Sequence, residues 1–326
     1  MNATFPITRS VPDSIALGQE IKRLYPIYDE IWCGLTSRNM TDIFQVRSGR
    51  TRYAARVWRH DFQTEDEIRF QTELLLHLSD LGLPVTKPIR CKDGGLYFSI
   101  PAPEGKRFVS LFEWVEGNLM GIEAHHEHFR RSGELIALMQ KAGQDFSAPS
   151  RRLFDLGGRI RKGLVALSSM ISDRPNDLAF YEEAVNNVCN HLENIDPNTI
   201  PFGICHGDFH ALNASVGADG SVTLFDFDCC SFDWLMHDVV CFDWANGRST
   251  RGQTFSDSFI AGYESVRTIS SDEHAQWPFL RAAHELFYVT VVPDILQYTG
   301  FAHMNFRSFE AADISVRKSL KSAGLA

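Results

Sequence analysis

Two β-rich runs near the N-terminus set the first expectation. "DIFQVRSGRTRYAARVWRH" reads as two strands joined by a tight turn at Ser48-Gly49. Thr64, with Glu67 three residues on, forms a capping box and predicts the start of a helix. Phe70, Leu74, Leu78 and Leu81 then fall on one apolar stripe, and Gly82 and Pro84 end it. "GGLYFSIPAP" and "RFVSLFEWVEG" predict two further strands with a turn between them. The first 110 or so residues thus read strand, strand, helix, strand, strand: a small antiparallel sheet with one packed helix. From about Gly117 helical periods take over, near 122–145, 158–171, 176–193, 231–246, 253–266, 271–295 and 306–322. A β-rich segment over 203–227 interrupts them once. No repeat and no low-complexity linker separates the halves. The expected fold class is therefore α+β with two lobes, 1–113 and 114–326, hinged near Glu113–Gly117.

Composition narrows the class without naming the chemistry. The 326 residues are 44% hydrophobic and 22% charged, enough apolar material for two lobes with cores. Lys+Arg 32 against Asp+Glu 41 leaves a net charge of −9, with no basic stripe, which argues against nucleic acid as the main partner. No run approaches the ~18 apolar residues of a membrane span, and the first residues lack the pattern of a secretory signal. A soluble, cytoplasmic protein is expected. Its seven scattered cysteines, with no CxxC pair, read as reduced thiols, Cys229-Cys230 being small buried residues.

The chemistry is concentrated in "ICHGDFHALNASVGADGSVTLFDFDCCSFDW". Asp208 and Asn213 stand five residues apart on a loop after an apolar run. A short hairpin follows, turning at Gly217–Gly220, and its second strand returns Asp226 to the same end. Oxygen-bearing side chains suit a hard cation such as Mg2+. Phosphoryl transfer uses such a set: an Asp to take the acceptor's proton, an Asn and an Asp for the metal. The spacing D-x-x-x-x-N with a later Asp matches a kinase catalytic loop and its metal-binding Asp. Blander readings exist. Asp and Asn also cap loops. His206, Asp208 and His210 alternate like zinc ligands, but no further ligand spacing supports a metallohydrolase. "LFDFD" matches the DxD pattern of glycosyltransferases, yet no nucleotide-sugar domain precedes it. His206 reads as a packing residue.

"HGDFHALN" and "LFDFDCCSFDWLMHDVV" resemble the aminoglycoside/choline phosphotransferase superfamily, and within it the type II homoserine kinase and stress response kinase branch. Asp226, Phe227, Asp228, Trp234 and Asp238 match the branch's metal segment, and "FIAGYESVRTISSDEHAQWPFLRAAHEL" is similar in its Gly-Tyr, Arg and downstream Glu. Cys229, Ser231 and Asp233 depart from that segment, Ala211-Leu212 from a common Pro-Gly, and Gln140 stands where a His often ends its helix. The resemblance implies a protein-kinase-like fold with ATP in the cleft between lobes. It implies Asp208 as catalytic base and Asn213 and Asp226 as Mg2+ ligands. It also implies a nucleotide site: Arg56 of "YAARV" where the family has its phosphate-binding Lys, Glu73 as its ion-pair partner, and "GLTSRN" (Gly34–Asn39) over the phosphates. In "FEWVEG", the backbone of Glu113 and Val115 would hold adenine.

The activity so implied is transfer of the ATP γ-phosphoryl group to a hydroxyl of a small molecule: an amino alcohol, homoserine-like or aminoglycoside-like. A Ser/Thr protein acceptor, as in the stress response branch, is the alternative, and a non-catalytic nucleotide-binding regulator is a third reading. Asp233 and Asp243 suggest an acidic acceptor entrance. Nothing in the sequence fixes an oligomeric state.

Overall fold

The computed structural model describes residues 5–38, 40–121, 125–148, 150, 152–196, 198–246, 250–299 and 306–325, with side chains at all of these except 250, 251, 292–299 and 306–308. Asn39 and positions 122–124 of the 122–145 pattern lie outside the described residues. The chain divides into two compact units, the first formed by Met1–Gly117 with 145–152 and Thr223–Phe225, the second by the remainder.

The first unit opens with α1 (Ser14–Leu24), then β1 (Ile31–Arg38), β2 (Thr41–Ser48), β3 (Thr51–Trp58), α2 (Glu65–Asp80), β4 (Phe98–Ala102) and β5 (Gly105–Glu113). The sheet has five strands in the order β1-β2-β3-β5-β4, antiparallel at every pairing. The expected four strands and one helix are all present, but α1 and β1 are additional. α1 starts where Asp13 caps Ala16 N–H at 2.8 Å and buries Leu17 and Ile21 against Phe44, Val46, Ala55, Val57, Val109 and Leu111 of the sheet. The Thr64–Glu67 capping box forms as expected. Phe70, Leu74 and Leu78 of the α2 stripe are buried, whereas Leu81, placed just past the helix end, is 56% exposed.

One buried ionic cluster ties this unit together. Arg107 on β5 is fully buried and its guanidinium is surrounded: Nε donates to Trp58 O (2.9 Å), Nη1 to Ser10 O (2.9 Å), and Nη2 to Val57 O (3.2 Å) and Asp42 Oδ2 (2.6 Å). Asp42, equally buried, also pairs with Arg9 and, at 3.6 Å, with Arg38. The segment before α1 is pinned there, with Ser10 N–H donating to Glu104 at 3.0 Å.

The second unit contains β6 (Asn118–Leu119), α3 (His126–Ala142), α4 (Leu156–Met170), α5 (Pro175–Asn194), β7 (Phe202–Cys205), the first hairpin strand β8 (Ala214–Val216), β10 (Ser231–Trp234), α6 (Met236–Asn246), α7 (Thr250–Glu264), α8 (Ser271–Thr299) and α9 (Phe306–Ser322), while the second hairpin strand β9 (Val222–Leu224) belongs to the first unit from Thr223 on. The helical pattern read over 231–246 starts too early. Its first four residues form β10, paired antiparallel to β7 with Ser231 opposite Cys205, and the helix starts only at Met236. α3 and α7 touch backbone to backbone. A Cβ at Gly133 would lie 2.0 Å from Phe259 O, and one at Gly262 1.8 Å from Arg130 O, so only glycine fits either place. All seven cysteines are free. Among the described residues no helix is long and apolar enough to cross a membrane.

Candidate active site

β7 delivers the chain to His206-Gly207-Asp208, and α6 holds it there. Asp238, fully buried on α6, accepts from Gly207 N–H at Oδ1 (2.8 Å) and from His206 N–H at Oδ2 (3.0 Å). Buried main-chain donors need partners, and here one carboxylate fixes two consecutive amides beside Asp208. Gly207 adopts φ +82°, and a Cβ there would fall 2.3 Å from Cys229 O, so the chain can pass this point only as glycine. The His206 ring is fully buried, 4.4 Å from Phe227 between ring centroids, the packing role expected of it.

Asn213 Nδ2 donates to Asp208 O at 2.8 Å across the loop, so its amide nitrogen is committed and its carbonyl oxygen is the atom left for a cation. The loop between them is held by His210, whose Nδ1 accepts from Leu212 N–H at 3.2 Å. The hairpin then closes with Gly217 N–H donating to Ser221 O at 2.8 Å. It returns the chain to Asp226, which sits at φ 64°, ψ 55°. A left-handed backbone is uncommon for a residue other than glycine, and such strain concentrates at functional sites.

The electrostatics set Asp208 apart. Burial pushes its carboxyl up to about 7, the nearby Asp226 charge adds to this, and His237 opposes it, with Asp228 and Asp238 contributing further repulsion. A carboxylate that binds protons near neutrality is matched to proton abstraction at that pH. Asp208, Asn213 and Asp226 all belong to the second unit, and their donor set of carboxylate and amide oxygens fits a hard divalent cation.

The nucleotide residues expected from the sequence all fall in the first unit. Arg56 occupies the middle of the sheet, opposite Ile43 of β2 and Ser110 of β5. It is buried, its Nη2 donates to Thr41 Oγ1 at 3.2 Å, and its guanidinium lies 5.9 Å from the Trp58 ring centroid. Glu73 is half-buried on α2, and the expected Arg56–Glu73 ion pair is not formed among the described residues. Glu113 N–H donates to Lys87 O at 2.8 Å.

One expectation about the acceptor side needs correction. Asp233 and Asp243 do not present an acidic entrance, because both are buried and each is matched: Asp233 by His237 and Trp234 N–H (2.7 Å), Asp243 by Arg281 at 2.8 Å. Sequence reasoning also gave no role to Gln140, whose Nε2 donates to Leu235 O (2.8 Å) and Asp238 Oδ2 (3.0 Å). Two signals were available: its place at the end of an apolar helix, where a buried polar residue requires a partner, and its departure from the His that often ends that helix in the resembling branch.

Comparison with known proteins gives the family. The family model of the phosphotransferase enzyme family matches residues 33–281. An uncharacterized protein of Synechocystis sp. is 28% identical over 267 residues, covering 82% of this chain and 74% of its own. A homoserine kinase of Sinorhizobium fredii is 27% identical over 239 residues, covering 71% of this chain and 69% of its own. Among solved structures, amicoumacin kinase in complex with AMP-PNP, Ca2+ and its ligand superposes with a TM-score of 0.74 at 14% identity, over 95% of this chain and 94% of that one, which shows a shared protein-kinase-like fold. With more than half of its length matched by one family model, the chain belongs to the phosphotransferase enzyme family.

Proposed function

We propose that the protein is an ATP-dependent kinase that transfers the γ-phosphoryl group to a hydroxyl of a small molecule, the acceptor being an amino alcohol, a homoserine-like compound or an aminoglycoside-like compound. The observation that carries this reading is the held loop: Asp208 next to amides fixed by Asp238, with Asn213 bonded across to the Asp208 carbonyl. Asp208 orients the acceptor hydroxyl and takes its proton as the oxygen–phosphorus bond forms and the bond to the ADP oxygen breaks. Asn213 and Asp226 would hold Mg2+, which when bound neutralises charge on the nucleotide phosphates. Arg56, with Glu73 of α2, serves the phosphates, and Glu113 and Val115 meet adenine through their main chain. The named kinases among the relatives and structural neighbours, one a homoserine kinase and one in complex with an ATP analogue and Ca2+, support the same class.

The test is ATP consumption with and without magnesium against panels of amino alcohols, aminoglycosides and generic Ser/Thr protein substrates. Magnesium-dependent turnover with one small-molecule panel is expected. Turnover confined to the protein panel would move the acceptor to protein, and neither ATP binding nor turnover with any hydroxyl would remove the kinase reading.

A further inference from the structure

A chain of buried side chains leads from the start of α8 to the candidate catalytic loop, and its hydrogen bonds can point in one direction only. Asp238 and the Leu235 carbonyl are acceptors, so the Gln140 atom facing both must be its NH2 group. The Gln140 carbonyl then faces Tyr263, whose hydroxyl donates to it at 2.6 Å. With its proton so used, Tyr263 Oη accepts from Arg267 Nη1 at 3.0 Å, and Arg267 in turn pairs with Glu273. Glu273 is fixed at the head of α8, accepting from Ser270 N–H at 2.9 Å. Gln140, Tyr263, Asp238 and Glu273 are each at most 1% exposed. Arg267 is half-buried, but from Tyr263 inward the path leaves no water to substitute for a missing member, and a polar atom orphaned there keeps its full desolvation cost.

We infer that Gln140 and Tyr263 are positioning residues for phosphoryl transfer, orienting the Asp238 carboxylate and, through it, the His206–Gly207 backbone that carries Asp208. The inference deepens the proposed function and rests on the catalytic role given there to Asp208. Gln140 suits the task because it offers one acceptor and two donor hydrogens, so it can satisfy Tyr263, Leu235 and Asp238 at once. An apolar residue of the same length could fill the space but would leave the Asp238 carboxylate with only the two loop amides to set its angle.

The test uses the full chain with Tyr263→Phe, which removes one oxygen, and Gln140→Met, which keeps length and removes both polar atoms. Two readouts are taken: turnover split into kcat and KM for ATP, and amide hydrogen exchange of the segment 204–213 without substrate. Both variants are expected to lower kcat by roughly 10- to 100-fold, as supporting shells do, with KM for ATP little changed. Exchange at His206 and Gly207 should be several-fold faster, reporting local rather than global opening. Val188→Ala, in the buried face of α5, supplies a comparably destabilised control that should lower Tm and leave kcat and loop exchange alone. If Tyr263→Phe lowers Tm while kcat and exchange at His206 and Gly207 match those of the control, the role is merely structural and the inference fails. Unchanged exchange overturns the loop-holding contact whatever the activity. Accelerated exchange in the variants of a protein inactive toward every acceptor would overturn the kinase reading instead.

Discussion

In the smaller unit the buried Asp42 carboxylate is met by Arg107, Arg9 and Arg38, and the cluster closes on itself with every Arg107 nitrogen bonded. In the larger unit Asp208 lies among Asp226, Asp228 and Asp238, with the His237 imidazole opposing them. The first arrangement is complete without any ligand and holds strands to the N-terminal segment. The second gathers like charges, which raises the proton affinity of Asp208, and gathering acids at a structural cost is what a cation and a proton acceptor require. Burial of charge alone therefore does not mark function; the sign of the company does.

The comparison breaks first at Asp208. Asp208→Asn should lower turnover by ~10²–10⁴, the scale of general-base loss, while calorimetric Mg·ATP binding stays nearly intact. Loss of nucleotide binding instead would give Asp208 the metal role. In the other cluster, Arg107→Met should cost ~3–5 kcal/mol of stability, read from denaturant unfolding, because it leaves a buried carboxylate short of its main partner. Should that variant lose less than about 1 kcal/mol, the Asp42 cluster is not what holds the unit together. Asp226→Asn should weaken magnesium-dependent ATP binding by roughly 10- to 100-fold and recover partly at high magnesium, since a charged ligand is gone. Indifference to magnesium would take Asp226 out of the metal site.

The smallest effect concerns pH. The Asp208 carboxyl is raised to about 7, so the folded chain without metal holds a proton there that the unfolded chain releases near the ordinary carboxylate value of 3.8. That contribution is fully present below about 3.8 and is lost as pH rises through about 7. The Tm of Asp208→Asn minus that of the wild type should therefore climb between these values, by roughly 3–6 °C, and then level off. A difference flat in pH would mean that the acids do not strain one another.

Much of this was legible in the sequence where the signal is local. The capping box at Thr64, the turn at Ser48-Gly49 and the loop–hairpin spacing of Asp208, Asn213 and Asp226 each depend on residues close along the chain. What escaped depends on distant partners. β10 exists because Ser231–Trp234 finds β7, some 26 residues earlier, and apolar spacing there is equally compatible with a helix. β1 is an edge strand, mostly exposed and broken by a register shift between Leu35 and Ser37, so it lacks the alternation that would announce it. The acidic entrance read from Asp233 and Asp243 failed for the same reason: their neutralising partners, His237 and Arg281, are visible only once the chain is folded.

The close approach of α3 and α7 at Gly133 and Gly262 carries a consequence for how this chain can drift in evolution. Gln140 lies two turns beyond Gly133 on α3, and Tyr263 directly follows Gly262 on α7, so the spacing of the two helices sets the reach of one hydroxyl to one amide. A single methyl at either glycine would act as a wedge and lengthen that reach. Sterics alone would close both positions to neutral substitution. Replacing them in concert with a larger Gln140 or Tyr263 neighbour is then a compensated path, and single steps along it would pass through inactive intermediates.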